Sequence, residues 1–107
     1  MEAMSQENHA PVVYYMTHSD YQGAVKIGTT VNLKSRLRRF ERGRNQKFTF
    51  LAFELGDKRL ESARHKQFAK YRIIGEWFFH DEELADYIEA LQQSMSEQEM
   101  EMLKNEH

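Results

Sequence analysis

Apolar positions change period several times along the chain, and each change marks an element. Val12-Val13-Tyr14-Tyr15-Met16-Thr17 is β-branched and aromatic, the composition of a strand. His18 to Gly23 supplies Ser, Asp and Gly, the residues of a turn. Ala24-Val25-Lys26-Ile27-Gly28 reads as a second strand, so the two predict an antiparallel hairpin. Leu33, Leu37 and Phe40 then recur at i, i+4 and i+7, the buried stripe of a helix. Asn32 suits its N-cap, and Gly43 ends it after about Arg42. Phe48 to Leu55 is nearly all apolar, which predicts a third strand, central and covered on both faces. Gly56-Asp57 opens a second helix over roughly Lys58 to Lys70, marked on one side by Leu60, Ala63, Arg64 and Phe68. A short aromatic segment, Gly75 to Phe79, follows a break. Asp81 caps a third helix reaching about Leu91, with Leu84, Tyr87, Ile88 and Leu91 inward.

The order ββαβαα predicts a small α/β (α+β) domain around a three-stranded sheet, assigned to residues 12–93. Residues 1–11 are polar and without period, and read as a disordered leader. Residues 94–107 have helix-forming composition but a thin apolar face of Met95, Met100, Met102 and Leu103. They read as an acidic C-terminal tail or helix extension, and a Met-bearing helix of this kind is a candidate homodimer contact.

A length of 107 residues suits one domain, and 40% hydrophobic with 30% charged residues suits a globular one. Apolar runs of only a few residues predict no membrane partner. The absence of cysteine excludes disulfides and thiolate metal sites, and points to a reducing, cytoplasmic compartment. The net charge of −2 conceals a division. Val12 to His80 holds 14 Lys/Arg against 6 Asp/Glu, a balance of +8, whereas Asp81 to His107 holds 9 acids and Lys104 alone. A basic body is the footprint of a polyanion binder. Lys34, Arg38, Arg39, Arg42 and Arg44 are the expected phosphate grips, which fix position without reading bases. The acidic end either solubilises the chain or folds back over the basic face.

Four side chains can converge on this plan. Tyr14 shares a strand face with Val12 and Met16, and Lys26 lies opposite or diagonal to it across the hairpin. Arg36 sits one turn into the first helix, and Glu61 near the start of the second. A phenol, an ammonium, a guanidinium and a carboxylate suit the cutting of a phosphodiester. The carboxylate can hold a metal, the cations can stabilise phosphorane charge, and the phenol can position or deprotonate water. Taken one at a time, each residue is more often structural. His65, four positions after Glu61, shares its helix face and can assist the metal or shuttle a proton, or simply bond a backbone group. Zinc is not expected, because His9, His18, His80 and His107 show no ligand spacing. Trp77, Phe78 and Phe79 can stack on bases, but packing beside Ile73 and Ile74 is the stronger expectation. Glu76 can be a second acid near the metal, though such a residue is more often structural.

The ordered set resembles the GIY-YIG nuclease superfamily. It comprises Val12-Val13-Tyr14, Lys26-Ile27-Gly28, Asn32 to Arg38, Glu61 with His65, and Gly75-Glu76-Trp77-Phe78. The resemblance is to its small phage and bacterial DNA-binding branch. It implies a three-stranded antiparallel sheet flanked by helices and cleavage of DNA with Mg²⁺ or Mn²⁺. It implies that Tyr14 activates water, Arg36 contacts phosphate, Glu61 binds the metal and Gly28 lets substrate approach. Val12 replaces a glycine of the first motif, Lys26 stands where many members have a second tyrosine, and a late asparagine has no match. The expected function is a metal-dependent DNA endonuclease without a small-molecule cofactor. The alternatives are a non-catalytic DNA-binding module of the same fold and a protein-interaction domain with a basic face.

Overall fold

The computed structural model describes residues 10–42 and 48–104. Its strands are β1 (Val12–His18), β2 (Ala24–Thr30), β3 (Phe48–Leu55), β4 (Arg72–Ile74) and β5 (Trp77–Phe79). Its helices are α1 (Leu33–Arg42), α2 (Lys58–Gln67), α3 (Glu82–Ser94) and α4 (Glu97–Lys104). The five strands form one antiparallel sheet in the order β3-β1-β2-β5-β4.

This corrects the expected three-stranded sheet. The missed pair is the β4–β5 hairpin, in which Ile74 faces Trp77 across the two-residue turn Gly75-Glu76. Gly75 adopts a φ of +56°, which a residue without Cβ adopts at little cost. The strands are only three residues long, too short for an alternation to register. β3 is also an edge strand, where a central one was expected. It pairs only with β1, and Leu55 at its end is exposed. Its apolar run has a local cause: Tyr15 pairs with Ala52 but Met16 with Phe50, so Leu51 is an extra residue in a bulge. The bulge lets Leu51 and Ala52 both pack on one face while Phe50 and Phe53 serve the other.

β1 lies between β2 and β3, and its alternation divides the core in two. Val13 and Tyr15 face Val25, Ile27, Phe68, Phe78, Leu84 and Ile88, under α2 and α3. Val12, Tyr14 and Met16 face Leu33 and Leu37 of α1, together with Phe50. Consecutive tyrosines therefore serve opposite layers.

The helices start where the sequence says. Asn32 Oδ1 accepts from Ser35 N at 3.0 Å, and Asp57 and Asp81 accept from Arg59 N and Glu83 N. α2 is shorter than expected: it stops at Gln67 and a 3₁₀ turn, Ala69–Tyr71, follows. α4 is a separate helix after a break at Met95. Ser96 Oγ accepts from Glu99 N while Glu99 accepts from Ser96 N, a reciprocal cap legible in Ser96-Glu97-Gln98-Glu99. α4 packs against β3, on the far side of β1 from β2. Phe40's side chain, Gly43, the leader up to residue 9 and the last three residues lie outside what the structure describes. Among the described residues, no helix is long and apolar enough to cross a membrane.

α2 and α3 are held to the sheet by the Glu54 carboxylate. Its Oε2 accepts from the Tyr15 hydroxyl at 2.6 Å and from Arg64 Nε at 3.0 Å. Its Oε1 accepts from the Tyr87 hydroxyl at 2.8 Å and from an Arg64 Nη at 3.3 Å. Burial alone would raise the Glu54 pKa, but the bonds from Arg64, Tyr15 and Tyr87 outweigh it and hold it below 4.5. Burial and the Glu54 charge push Tyr87 up to about 12. A depressed carboxylate stabilises the fold above its unfolded pKa and is lost as the pH falls through its folded value. Glu54→Gln is therefore expected to cost about 2–3 kcal/mol at pH 7 by urea denaturation. The same variant should flatten the wild-type decline in stability below about pH 4.5.

Candidate functional site

The candidate residues form two groups that meet at one edge of β2. β5 pairs with Ala24, Val25 and Lys26, and Ile27 N still donates to Glu76 O at 2.9 Å. Past Ile27, no described strand pairs with that side of β2.

The first group lies on the α1 side. Tyr14 stands opposite Gly28 in the β1–β2 register, and a Cβ at position 28 would come within 2.7 Å of the Tyr14 hydroxyl oxygen. Glycine is required there by close approach, since any side chain would displace the phenol. The hydroxyl accepts from an Arg36 Nη at 3.1 Å, and the Arg36 guanidinium lies 5.9 Å from the ring centre. Lys26 Nζ lies 5.9 Å from the same ring. Tyr14 itself is 1% exposed, whereas Arg36 and Lys26 are half-buried and lie over it.

The second group comes from α2, on the other layer. Glu61 is buried at 7% exposure, and its Oε2 has no hydrogen-bond partner among the described residues. His65 Nε2 lies 2.9 Å from Ile27 O and 3.9 Å from that oxygen. The carbonyl can only accept, so Nε2 carries a proton in this contact. Burial first, and then the adjoining Glu76 carboxyl, raise the Glu61 pKa; His65 and Lys58 act against this. Glu76 in turn lies 3.8 Å from Lys26 Nζ. The two groups are thus joined through Lys26 and Glu76: guanidinium, phenol, ammonium, then two carboxyls and an imidazole.

Glu76 belongs in this cluster more fully than the sequence suggested. The signal was Gly75-Glu76 between Ile73-Ile74 and Trp77-Phe78, a hairpin turn that projects its second residue at the strand edge. The inner side of α2 was also misjudged. Ala63 is exposed, and Leu60, Glu61, Arg64, His65 and Phe68 point inward, so the stripe is largely polar and escapes an apolar pattern. Of the expected phosphate grips, Lys34 and Arg38 are exposed on α1. The side chains of Arg39 and Arg42, and all of Arg44, lie outside the described residues.

A protein-family model, the T5orf172 domain, matches residues 11–94. The chain belongs to the T5orf172 domain family. This corrects the resemblance to the GIY-YIG nuclease superfamily, because the model that matches most of the chain is that of the T5orf172 domain. No curated protein and no solved structure matches the chain. The T5orf172 match spans both groups, from β1 through α3, and ends where α3 ends.

Among the described residues no three acidic, histidine or cysteine side chains gather as a metal-binding group, but Glu61 and Glu76 form a pair. A buried carboxylate oxygen without a donor, beside a second carboxyl, is a place where positive charge is missing. Burial and the neighbouring carboxyl make the charged form of Glu61 costlier, which is the direction of its raised pKa. A carboxyl raised on folding destabilises the fold as the pH rises from 4.5 through its folded value. Glu61→Gln should therefore raise the melting temperature in metal-free buffer at pH 7.5, by about 2–5 °C. Mn²⁺ should raise the melting temperature of wild type, more at pH 7.5 than at pH 5, and leave Glu61→Gln unchanged.

Proposed function

We propose that the chain is a metal-dependent DNA endonuclease, hydrolysing phosphodiesters at the free edge of β2. Membership in the T5orf172 domain family names no reaction, so the reading rests on geometry. The observation that carries it is the unpartnered Oε2 of Glu61, set beside Glu76 and linked by Lys26 to the Tyr14–Arg36 pair. Acid groups short of a cation, next to cations half-open to solvent, suit a metal and a phosphate side by side.

Glu61 and Glu76 would hold Mg²⁺ or Mn²⁺. The chemistry such a cation would supply there is polarisation of a phosphoryl oxygen and stabilisation of the leaving oxyanion. Arg36 and Lys26 draw in the phosphodiester and stabilise the charge that develops on it. Arg36 is suited to this because its planar fork can hold two phosphate oxygens. Tyr14 is buried and its hydroxyl is engaged by Arg36, so it acts as a positioning residue that fixes the guanidinium. His65 holds its Nε2 proton on Ile27 O, and the neutral ring offers Nδ1 to accept a proton from water. Lys34 and Arg38 extend the positive surface along α1 and set DNA in place without reading it. A reducing, cytoplasmic compartment suits a cysteine-free chain that acts on DNA.

A second reading, a DNA-binding module without cleavage, draws on the burial of Tyr14, which withdraws the expected water-activating residue from solvent. Plasmid nicking separates the two. Supercoiled DNA with wild-type protein and Mg²⁺ or Mn²⁺ should convert to open circles, and EDTA should stop the reaction. Glu61→Ala and Arg36→Ala should each lower the rate by about 100-fold or more. A gel shift without nicking under either metal would favour the binding module.

A further inference from the structure

Beside the candidate site lies an apolar groove that the reading above leaves unused. It has a volume of about 420 Å³ and is lined by Tyr21, Gln22, Ala24, Ile73, Ile74 and Trp77. Tyr21, Ile73 and Ile74 are 55%, 46% and 70% exposed, a concentration of apolar surface at one end of the sheet. The Tyr21 and Trp77 rings meet edge to face, with centres 5.2 Å apart at 73°. Two rings held at a wide angle leave a face of each available to a third flat group.

The groove is continuous with the phosphate-handling side chains. Trp77 pairs with Lys26 across β2 and β5, and Lys26 pairs with Met16, the next residue after Tyr14 on that face of β1. Trp77 packs against the same core layer as Tyr14. Adjacent strands are about 4.8 Å apart and alternate residues about 6.7 Å, so the groove begins within roughly 10 Å of Gly28. A phosphate held by Lys26 and Arg36 would have its neighbouring nucleotide over Trp77.

We infer that the groove receives an unpaired nucleobase of the DNA strand whose phosphate lies at Lys26 and Arg36. The inference rests on the nucleic-acid reading of the site and names the form of the substrate. Aromatic walls stack on any base, and the single amide of Gln22 supplies both a donor and an acceptor for a base edge. A paired base in duplex DNA keeps its faces covered by its neighbours, so the groove selects a strand that is frayed, looped or single.

Trp77 is the only tryptophan, so its fluorescence reports on the groove directly. The full chain in EDTA is titrated with an oligothymidylate of eight nucleotides and with an abasic oligomer of equal length and charge. The thymidylate should quench Trp77 and bind about tenfold tighter than the abasic oligomer. In Tyr21→Ser and Ile74→Ser, both at exposed positions, that preference should fall toward unity. Equal affinity for the two oligomers, or a preference untouched by both variants, would overturn the inference while leaving a phosphate-binding site. Failure of both oligomers to bind would overturn the inference together with the nucleic-acid reading. A thymidylate preference in a protein that nicks no plasmid would support the groove and count against the nuclease alone.

Discussion

The Glu54 carboxylate holds the molecule's layers in place. It sits on an edge strand, yet it takes hydrogen bonds from a central strand and from two helices. Its charge is met by Arg64 and its remaining lone pairs by two phenols, so burial leaves none of its bonding capacity idle. The consequence reaches the candidate site through α2. Arg64 lies three residues after Glu61 and one before His65, so the bond that docks Arg64 also fixes the turn of helix facing β2. An α2 free to rotate would carry Glu61 away from Glu76.

Glu54, which meets α2 through Arg64, and Glu61 of α2 itself show how environment divides similar groups. Glu54 receives donors, and they hold its pKa below the usual carboxylate value. Glu61 receives none at its Oε2, adjoins another acid, and holds its proton more tightly. The first arrangement is complete within the chain. The second leaves Glu61 Oε2 without a hydrogen-bond partner among the described residues, and Lys26 Nζ lies 3.8 Å from its neighbour Glu76. The basic surface beside it, of Arg36, Lys34 and Arg38, gives the opposite deficit. Under the proposed function, a divalent cation would answer the acids and a phosphate the bases.

Legibility in the sequence followed the length and regularity of each pattern. The β1–β2 hairpin, the caps at Asn32, Asp57 and Asp81, and the pairing of Leu84 with Ile88 in the core all stand in local spacing. So do the convergence of Tyr14 and Lys26 and the shared helix face of Glu61 and His65. The β4–β5 hairpin was hidden because three-residue strands carry too few alternations. β3 was placed at the centre because its bulge puts two successive residues on one face, imitating a strand covered on both sides. Gly75-Glu76 signals a turn in the sequence, but the meeting of Glu76 with Glu61 of α2 comes from tertiary structure alone. The burial of Tyr14 likewise depends on α1 closing over it.

Carboxylates brought together to hold a cation are the centre of this account, and crystals soaked in Mn²⁺ test it most directly by anomalous scattering. The account predicts a peak about 2.0–2.5 Å from Glu61 Oε2, shared with Glu76 and absent from Glu61→Gln crystals. Ordered crystals with Mn²⁺ bound elsewhere and no peak at these carboxylates would contradict it.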